Sequence, residues 1–503
     1  LLCTSGAQQP AAPAKDSRIH IVVLHTNDVH GQVLTRKGTW VSKEHPPMVG
    51  GLPRIAAYVN AVREEAKRVD EGVVVLDAGD WYQGTPEGLV DDGLGFVKAL
   101  SLVGYDALCL GNHDFDRGIA NLQRLLRETK LPAVCANLNV KATGKPVDWV
   151  PQYKIVETRG VKIGVVGLLT PVTPQITHPD AHSLDFIDPA KALSRVKEEL
   201  GRKVDWILPV THLGVDDDRK LARSDPELPL IVGGHSHTYL KEGAIEGTTR
   251  IVQTGSKASA IGRVDVYVDR ATHKVAEVHV DMIDLNDEPQ PEFKNVELEA
   301  LCKKLEEQTD VRMKAVIGEL EGPLARTKDP LVSGTAGNLI ADAVREHTQA
   351  DVGLMNRGGI RTDLEPGKVT RRDVFEIVPF DNNISVLTLS GADLFEMIRR
   401  SVEGSAHSGL EVSGLEIDVD VDAAGKRKLT GLKVGKKELD RKATYRVAMN
   451  SFMADGGDAY LEKKEGAARV DDPLFVRDLL EQWFTARGKV KPDTTNRYVV
   501  KRS

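Results

Sequence analysis

What most constrains this chain is where its apolar runs stop. Ile19 to Leu24, Val73 to Leu76, Ala107 to Leu110, Ile207 to Val210 and Leu230 to Val232 each give way to a short motif drawn from Asp, Asn, His, Thr and Gly. Ala133 to Cys135 and Val161 to Leu168 continue the series. Between the runs, segments such as Leu52 to Arg68 and Pro189 to Lys203 carry apolar residues at helical spacing. Short strands alternating with helices predict an α/β domain, and open α/β sheets gather their ligands just beyond the strand ends. The later runs Ile251 to Thr254, Ala260 to Val268 and Val275 to Asp281 lack intervening helices. They predict antiparallel strands that complete a mixed sheet.

At 503 residues the chain exceeds what one hydrophobic core holds, so two or more domains are expected. The pattern breaks at Asn286 to Pro291, and a charged helix from Val296 to Val311 follows, with Leu298, Leu301, Cys302 and Leu305 on one stripe. A second α/β segment begins near Ile317. The expected division is therefore a tether over 1–18, a first domain over 19–285, a linker and connecting helix over 286–316, and a second domain over 317–503. A net charge of −7 supplies no basic surface for a nucleic-acid polymer or an anionic membrane. No apolar run approaches the roughly 20 residues of a membrane-spanning helix.

The first residues, Leu1-Leu2-Cys3 and an Ala-, Gln- and Pro-rich stretch, read as the remnant of an export signal plus a flexible tether, which implies a periplasmic or envelope location. Cys3 has two readings: the lipid-anchored cysteine of a bacterial lipoprotein, although Leu2 replaces the small residue that normally precedes it, or a trimmed chain end. Four cysteines give no dense disulfide framework, and Cys109 and Cys135, both in apolar runs, read as buried free thiols in preference to a bridge.

Five motifs carry the chemistry. In Asn27-Asp28-Val29-His30-Gly31, residues two apart project to one side of an extended backbone, so Asp28 and His30 can grip one metal ion. Asp77-Ala78-Gly79-Asp80 leaves Asp80 at a strand tip, where its two oxygens can bridge two cations. In Gly111-Asn112-His113-Asp114-Phe115-Asp116, neighbouring side chains diverge, so Asn112 can face metal while His113 faces substrate. Asp116 lies within reach of the His113 ring if a helix starts here. Thr211-His212-Leu213-Gly214 and Gly233-Gly234-His235-Ser236-His237 add three imidazoles. A lone His or Asp after a strand is usually a loop residue or helix cap. Five such motifs in one chain, each at a strand end, are hard to explain that way.

This ordered set resembles the calcineurin-like metallophosphoesterase superfamily, and the wording Leu24 to Gly31 and Gly111 to Asp116 is similar to its bacterial 5′-nucleotidase and UDP-sugar hydrolase branch. The resemblance implies an N-terminal four-layer αββα sandwich with mixed sheets, joined by a helix to a C-terminal α/β 5′-nucleotidase domain. It implies one divalent metal held by Asp28, His30, Asp80 and His237 and a second by Asp80, Asn112, His212 and His235, with Asp80 bridging. Some members of the branch carry Gln or Asn at the position of His237; this chain follows the wider superfamily. Imidazole-rich ligation points to manganese, zinc, iron or cobalt over magnesium. Two dications against two carboxylates suit a phosphate anion, and metals about 3.5 to 4 Å apart activate water for in-line displacement. The resemblance also makes His113, oriented by Asp116, the group that stabilises the transition state or protonates the leaving group.

In the second domain, Asn356 to Arg361, Val378 to Asn382 and Asn450 to Asp458 resemble the nucleoside-binding segments of the same branch. Carried over, Phe380 and Phe452 sandwich a base, Asp458 accepts from ribose hydroxyls, Arg361 meets an anion, and Asn356 and Asn382 are polar partners. Stacking contributes about 1 to 3 kcal/mol per base and tolerates different bases. Leu331 to Ala336 lacks the arginine that the branch usually carries before Gly337-Asn338-Leu339-Ile340. Arg357 stands where the branch has a glycine, either replacing that contact or pointing into solvent.

The expected function is an exported dimetal phosphohydrolase acting on nucleoside 5′-monophosphates, with UDP-sugars, dinucleotides and 2′,3′-cyclic nucleotides as further substrates. Two alternatives stand beside it: a dimanganese sulfate-releasing hydrolase of sulfur oxidation, against which the Phe380 and Phe452 pair argues, and a catalytically silent nucleotide-binding or adhesion protein.

Overall fold

The computed structural model describes residues 17–38, 44–286, 295–404, 409–461 and 468–502. The anchoring expectation at Cys3, nearly all of the tether and most of the break at Asn286 to Pro291 lie outside the described residues. No described helix is long and apolar enough to cross a membrane. The chain forms two compact units that are not contiguous in sequence. One holds the residues up to Tyr82, Asp91–Thr173 and Asp180–Lys304; the other holds Gln83–Val90, Pro174–Pro179 and Leu305–Ser503.

The first unit contains two six-stranded sheets. One runs Val275–Asp284, Ala260–Asp269, Arg18–Thr26, Gly72–Asp77, Ala107–Cys109, Ala133–Val134, its last four strands parallel. The other runs Ala244–Glu246, Thr249–Val252, Leu230–Gly233, Trp206–His212, Val161–Leu169, Tyr153–Thr158, its middle four parallel. Successive side chains on a strand face opposite ways, so each parallel strand buries two sets of residues. Ile163, Val165, Leu208, Val210 and Leu230 join Ile21, Val23, Val74 and Leu76 in one core between the sheets. Val166, Leu168, Ile207 and Ile231 turn the other way, onto Leu193 and Val196 of helix Pro189–Leu200 and Leu221 of helix Val215–Ser224. Helix Leu52–Val69 buries Leu52, Ile55, Val59 and Val62 and packs against Gly72–Asp77 of the first sheet. Helix, sheet, sheet, helix is the four-layer sandwich that the strand and helix alternation calls for. The ends of its parallel strands carry the five motifs. Cys109, Cys135 and Cys302 are free and buried.

The second unit is built on a five-stranded mixed sheet, Leu410–Ser413, Val352–Asn356, Thr444–Asn450, Asn383–Ser390 and Arg469–Phe475, with a four-stranded sheet beside it in sequence. Helix Thr335–Thr348 packs on strands Val352–Asn356 and Leu410–Ser413. The short stretch Gln83–Val90 is held here by buried polar contacts. Glu87 accepts from both terminal nitrogens of Arg372, at 2.5 and 2.8 Å, and from the Thr309 hydroxyl; Gln83 donates to the Pro379 carbonyl at 2.9 Å.

Candidate active site

Asp28, His30, Asp80, His235 and His237 all adopt left-handed backbone, with φ between 49° and 77°. Such conformations are costly for residues with a Cβ and persist where surrounding bonds enforce them. Here the bonds lace neighbouring turns together: Asp28 N donates to Gly79 O at 2.9 Å and His30 N to Asp80 O at 3.0 Å. Arg18–Thr26 and Gly72–Asp77 are parallel neighbours, so their terminal turns lie side by side. The approach of the Gly111 backbone to Asp80 is equally tight. A Cβ at Gly111 would lie 2.2 Å from both the Asp80 amide nitrogen and Oδ1, so only glycine fits.

These turns bring seven side chains together. Ligand atoms of Asp28, His30, Asp80 and His237 all lie within 4.8 Å of one another. His237 Nε2 is 3.1 Å from Asp28 Oδ1 and 3.0 Å from His30 Nε2. Asp80 Oδ2 stands 3.2 Å from His212 Nε2 and 3.8 Å from His30 Nε2, so this carboxylate lies between the two imidazoles. Asn112 Oδ1 is 3.2 Å from His212 Nε2, and the rings of His212 and His235 are 5.0 Å apart. Asp28 Oδ1 is buried without a hydrogen-bond partner while imidazole nitrogens converge on it. Carboxylate, amide and imidazole donors clustered this way fit divalent cations of the first transition row.

Buried carboxylates and imidazoles act on one another across the cluster. Burial raises the Asp28 carboxyl, yet His237 and His212 beside it outweigh burial and hold it below the usual range. Burial lowers His212, but Asp80 and then Asp28 reverse this and push it up to about 10. For His235 burial dominates, with His212 adding to it, and the imidazole is pushed down to about 3. Around the ligands lie carboxyls that burial pushes upward: Asp77 to about 7 and Asp218 to about 8.

His113 follows Asn112 in a short 3₁₀ turn, Asn112–Phe115. Its Nδ1 is 2.8 Å from Asp116 Oδ2, its amide donates to Asp80 Oδ1 at 2.8 Å, and its ring lies 5.6 Å from that of His30.

Several supporting residues went unassigned in the sequence. Asp114 accepts from the amides of Gly111 at 2.7 Å, Trp81 at 2.8 Å and Asp80 at 3.2 Å, tying two ligand-bearing turns together. Asn27 donates to Asp28 Oδ2 at 2.6 Å and accepts from Thr254 N at 2.7 Å. Gln253 donates to Gly234 O at 2.8 Å. Asp114 and Asn27 sat inside the motifs already singled out, and their position was the only signal; Gln253 had none.

In the second unit, strand Val352–Asn356 delivers Asn356 to a chain of hydrogen bonds: Asn450 Nδ2 donates to Asn356 Oδ1 and Asn356 Nδ2 to Asp458 Oδ2, both at 2.7 Å. Asp458 is left-handed, φ 57°. The Arg361 guanidinium lies 5.7 Å from the Phe380 ring centroid. Phe452 is partly buried, and its ring closes on Gly457, where a Cβ would meet it at 2.5 Å. Asn382 accepts from Val476 N at 2.9 Å through its main-chain carbonyl. Arg357 does not point into solvent: its side chain is 13% exposed and its Nε is 3.0 Å from Glu411.

Residues 21–239 match the calcineurin-like phosphoesterase family, and residues 316–463 match the 5′-nucleotidase C-terminal domain. A 5′-nucleotidase of Vibrio cholerae is 29% identical over 97% of this chain and 93% of its own length. The crystal structure of a 5′-nucleotidase precursor from Thermus thermophilus superposes with a TM-score of 0.84 at 26% identity, covering 96% of this chain and 99% of that one. The sulfate thiohydrolase SoxB of Thermus thermophilus shares the fold, with a TM-score of 0.80 at 19% identity over 98% of each chain.

Proposed function

Since the chain belongs to the calcineurin-like phosphoesterases and carries their 5′-nucleotidase C-terminal domain, a metal-dependent phosphoester hydrolase, we propose that it releases phosphate from nucleoside 5′-monophosphates. The observation that carries this reading is the position of Asp80, its Oδ2 between His212 and His30 at 3.2 and 3.8 Å. A carboxylate so placed serves two ligand groups at once.

Asp28, His30, Asp80 and His237 would hold one divalent cation and Asp80, Asn112, His212 and His235 a second, and such a pair would supply positive charge and water activation to phosphoester hydrolysis. His113 handles the leaving group. With Nδ1 engaged by Asp116 at 2.8 Å, the ring is fixed in orientation, which leaves Nε2 as the nitrogen that can give a proton to the departing oxygen. Phe380 and Phe452 stack the base, Asp458 accepts from the ribose hydroxyls, Arg361 meets an anion, and Asn356, bonded to Asp458 at 2.7 Å, and Asn382 are polar partners. Stacking reads a ring face and no particular edge, so tolerance of different bases follows; UDP-sugars, dinucleotides and 2′,3′-cyclic nucleotides belong to the same reading as further substrates to be tested.

Phosphate release from AMP, UMP, UDP-glucose, NAD, 2′,3′-cyclic AMP and bis(p-nitrophenyl) phosphate, measured after stripping and restoring each metal, tests the reading. AMP and UMP should lead in kcat/KM. A lead by the non-nucleotide ester would remove the nucleoside site from the account.

A further inference from the structure

The turn Arg357–Gly359 follows Asn356 directly, and its first side chain runs into the protein. One terminal nitrogen of Arg357 donates to the Asp329 carbonyl at 2.6 Å and the other to the Val332 carbonyl at 2.8 Å, while Nε stands 3.0 Å from Glu411 Oε1. The Glu411 side chain is 2% exposed, and its carboxylate also accepts from Gly334 N at 3.1 Å. The guanidinium lies over Gly409, where a Cβ would come within 2.7 Å of Cζ. One planar fork therefore joins three stretches of chain: the turn after Asn356, the loop from Asp329 to Gly334, and strand Leu410–Ser413. Arginine does this and lysine cannot, because only the guanidinium places two terminal donors on separate carbonyls while its charge stays beside the carboxylate.

We propose that Arg357 is a positioning residue for substrate: by fixing the Asn356 turn to Glu411 and to the Asp329 loop, it holds Asn356, and through it Asp458, where ribose hydroxyls are bound. The inference rests on the nucleoside reading of the second unit. Arg357 itself contacts no substrate. The loop that lacks the branch's usual arginine is instead secured by this one.

Two variants test it. Arg357→Lys keeps a cation beside Glu411 but cannot reach both carbonyls as well. Arg357→Met combined with Glu411→Gln removes the buried charge pair as a unit, so no carboxylate is stranded. For each, KM and kcat are measured on AMP and on bis(p-nitrophenyl) phosphate, with thermal melting as a control. The expected result is a rise in KM for AMP of about tenfold with kcat held within about twofold, and ester kinetics unchanged. Folded variants that keep the wild-type KM for AMP overturn the proposal. So does a parallel loss on the ester, or failure of both variants to fold, which would assign Arg357 to stability alone. If wild type shows no preference for AMP over the ester, the nucleoside reading falls and takes this inference with it. A wild-type preference with unaltered variants refutes only the role of Arg357.

Discussion

The main-chain amide of His235 donates to Oδ2 of Asp28 at 2.9 Å, across 207 positions of sequence. That bond ties the end of one sheet to the loop beyond a strand of the other, and it leaves Oδ1 of the same carboxylate facing His237 at 3.1 Å. Asp28 thus fixes the loop that carries two imidazoles and is itself a donor to the centre. Asp28→Ala should lower hydrolysis by at least about a hundredfold and cut bound metal together with it. Metal content by mass spectrometry on the purified variant decides; a full complement of metal would exclude Asp28 from ligation.

His113 and Asp116 separate chemistry from metal binding. His113→Ala is expected to reduce kcat by about 10² to 10⁴ with metal content unchanged. Asp116→Asn, which keeps the shape but weakens the hold on Nδ1, should cost about tenfold in kcat with metal content unchanged. Equal turnover of wild type and His113→Ala would assign proton transfer elsewhere.

Asp114 collects three amides, and asparagine in its place would turn an N–H₂ group towards an N–H donor. Asp114→Asn should weaken metal affinity about 10- to 100-fold while the chain still melts cooperatively. Titration of the stripped variant with manganese or zinc measures this, and wild-type affinity would show that the turns hold without it.

Removing metal should lower the melting temperature of the first unit, because a cation that binds only the folded state stabilises it by RT ln(1 + [L]/Kd), about 2.7 kcal/mol at a hundredfold excess over Kd. Differential scanning calorimetry with and without chelator reads the difference. Superimposable traces would mean that the cluster binds cations weakly.

His20 offers a pH test away from the active site. Its imidazole stands 2.7 Å from both Asp265 and Glu71, and the hydrogen bond to Asp265 leads the causes that raise it above its usual 6.5. A group raised on folding stabilises fully below its unfolded pKa and loses that contribution as pH climbs through the folded one. Replacing His20 by Gln should therefore cost about 1 kcal/mol near pH 6 and progressively less towards pH 9. Denaturant midpoints at both ends of the range check the sign; a cost that grows with pH would reverse it.

The sandwich was legible because alternation of short apolar runs with helical segments is a local pattern, and its motifs stood at strand ends where ligands gather. Long-range pairings leave no such trace. Gln83–Val90 clusters with the second unit through Glu87 and Arg372, 285 positions apart, and nothing local in that octapeptide announces a partner so distant. Likewise the sequence leaves Arg357 either as a replacement anion contact or in solvent; its burial depends on Glu411, which sits in a strand 54 positions away. The left-handed turns at Asp28 and Asp80 escape a local reading for a related reason: main-chain bonds between turns about fifty positions apart hold them, Asp28 N to Gly79 O and His30 N to Asp80 O.

Asp28, His30, Asp80 and Asn112 hang from one sheet of the sandwich, and His212, His235 and His237 from the other. A refolding chain consequently has only part of either proposed ligand set until the two layers have docked face to face. Tight cation capture should then come last, as a latch across the seam, and its rate should report on completed assembly and not on early collapse.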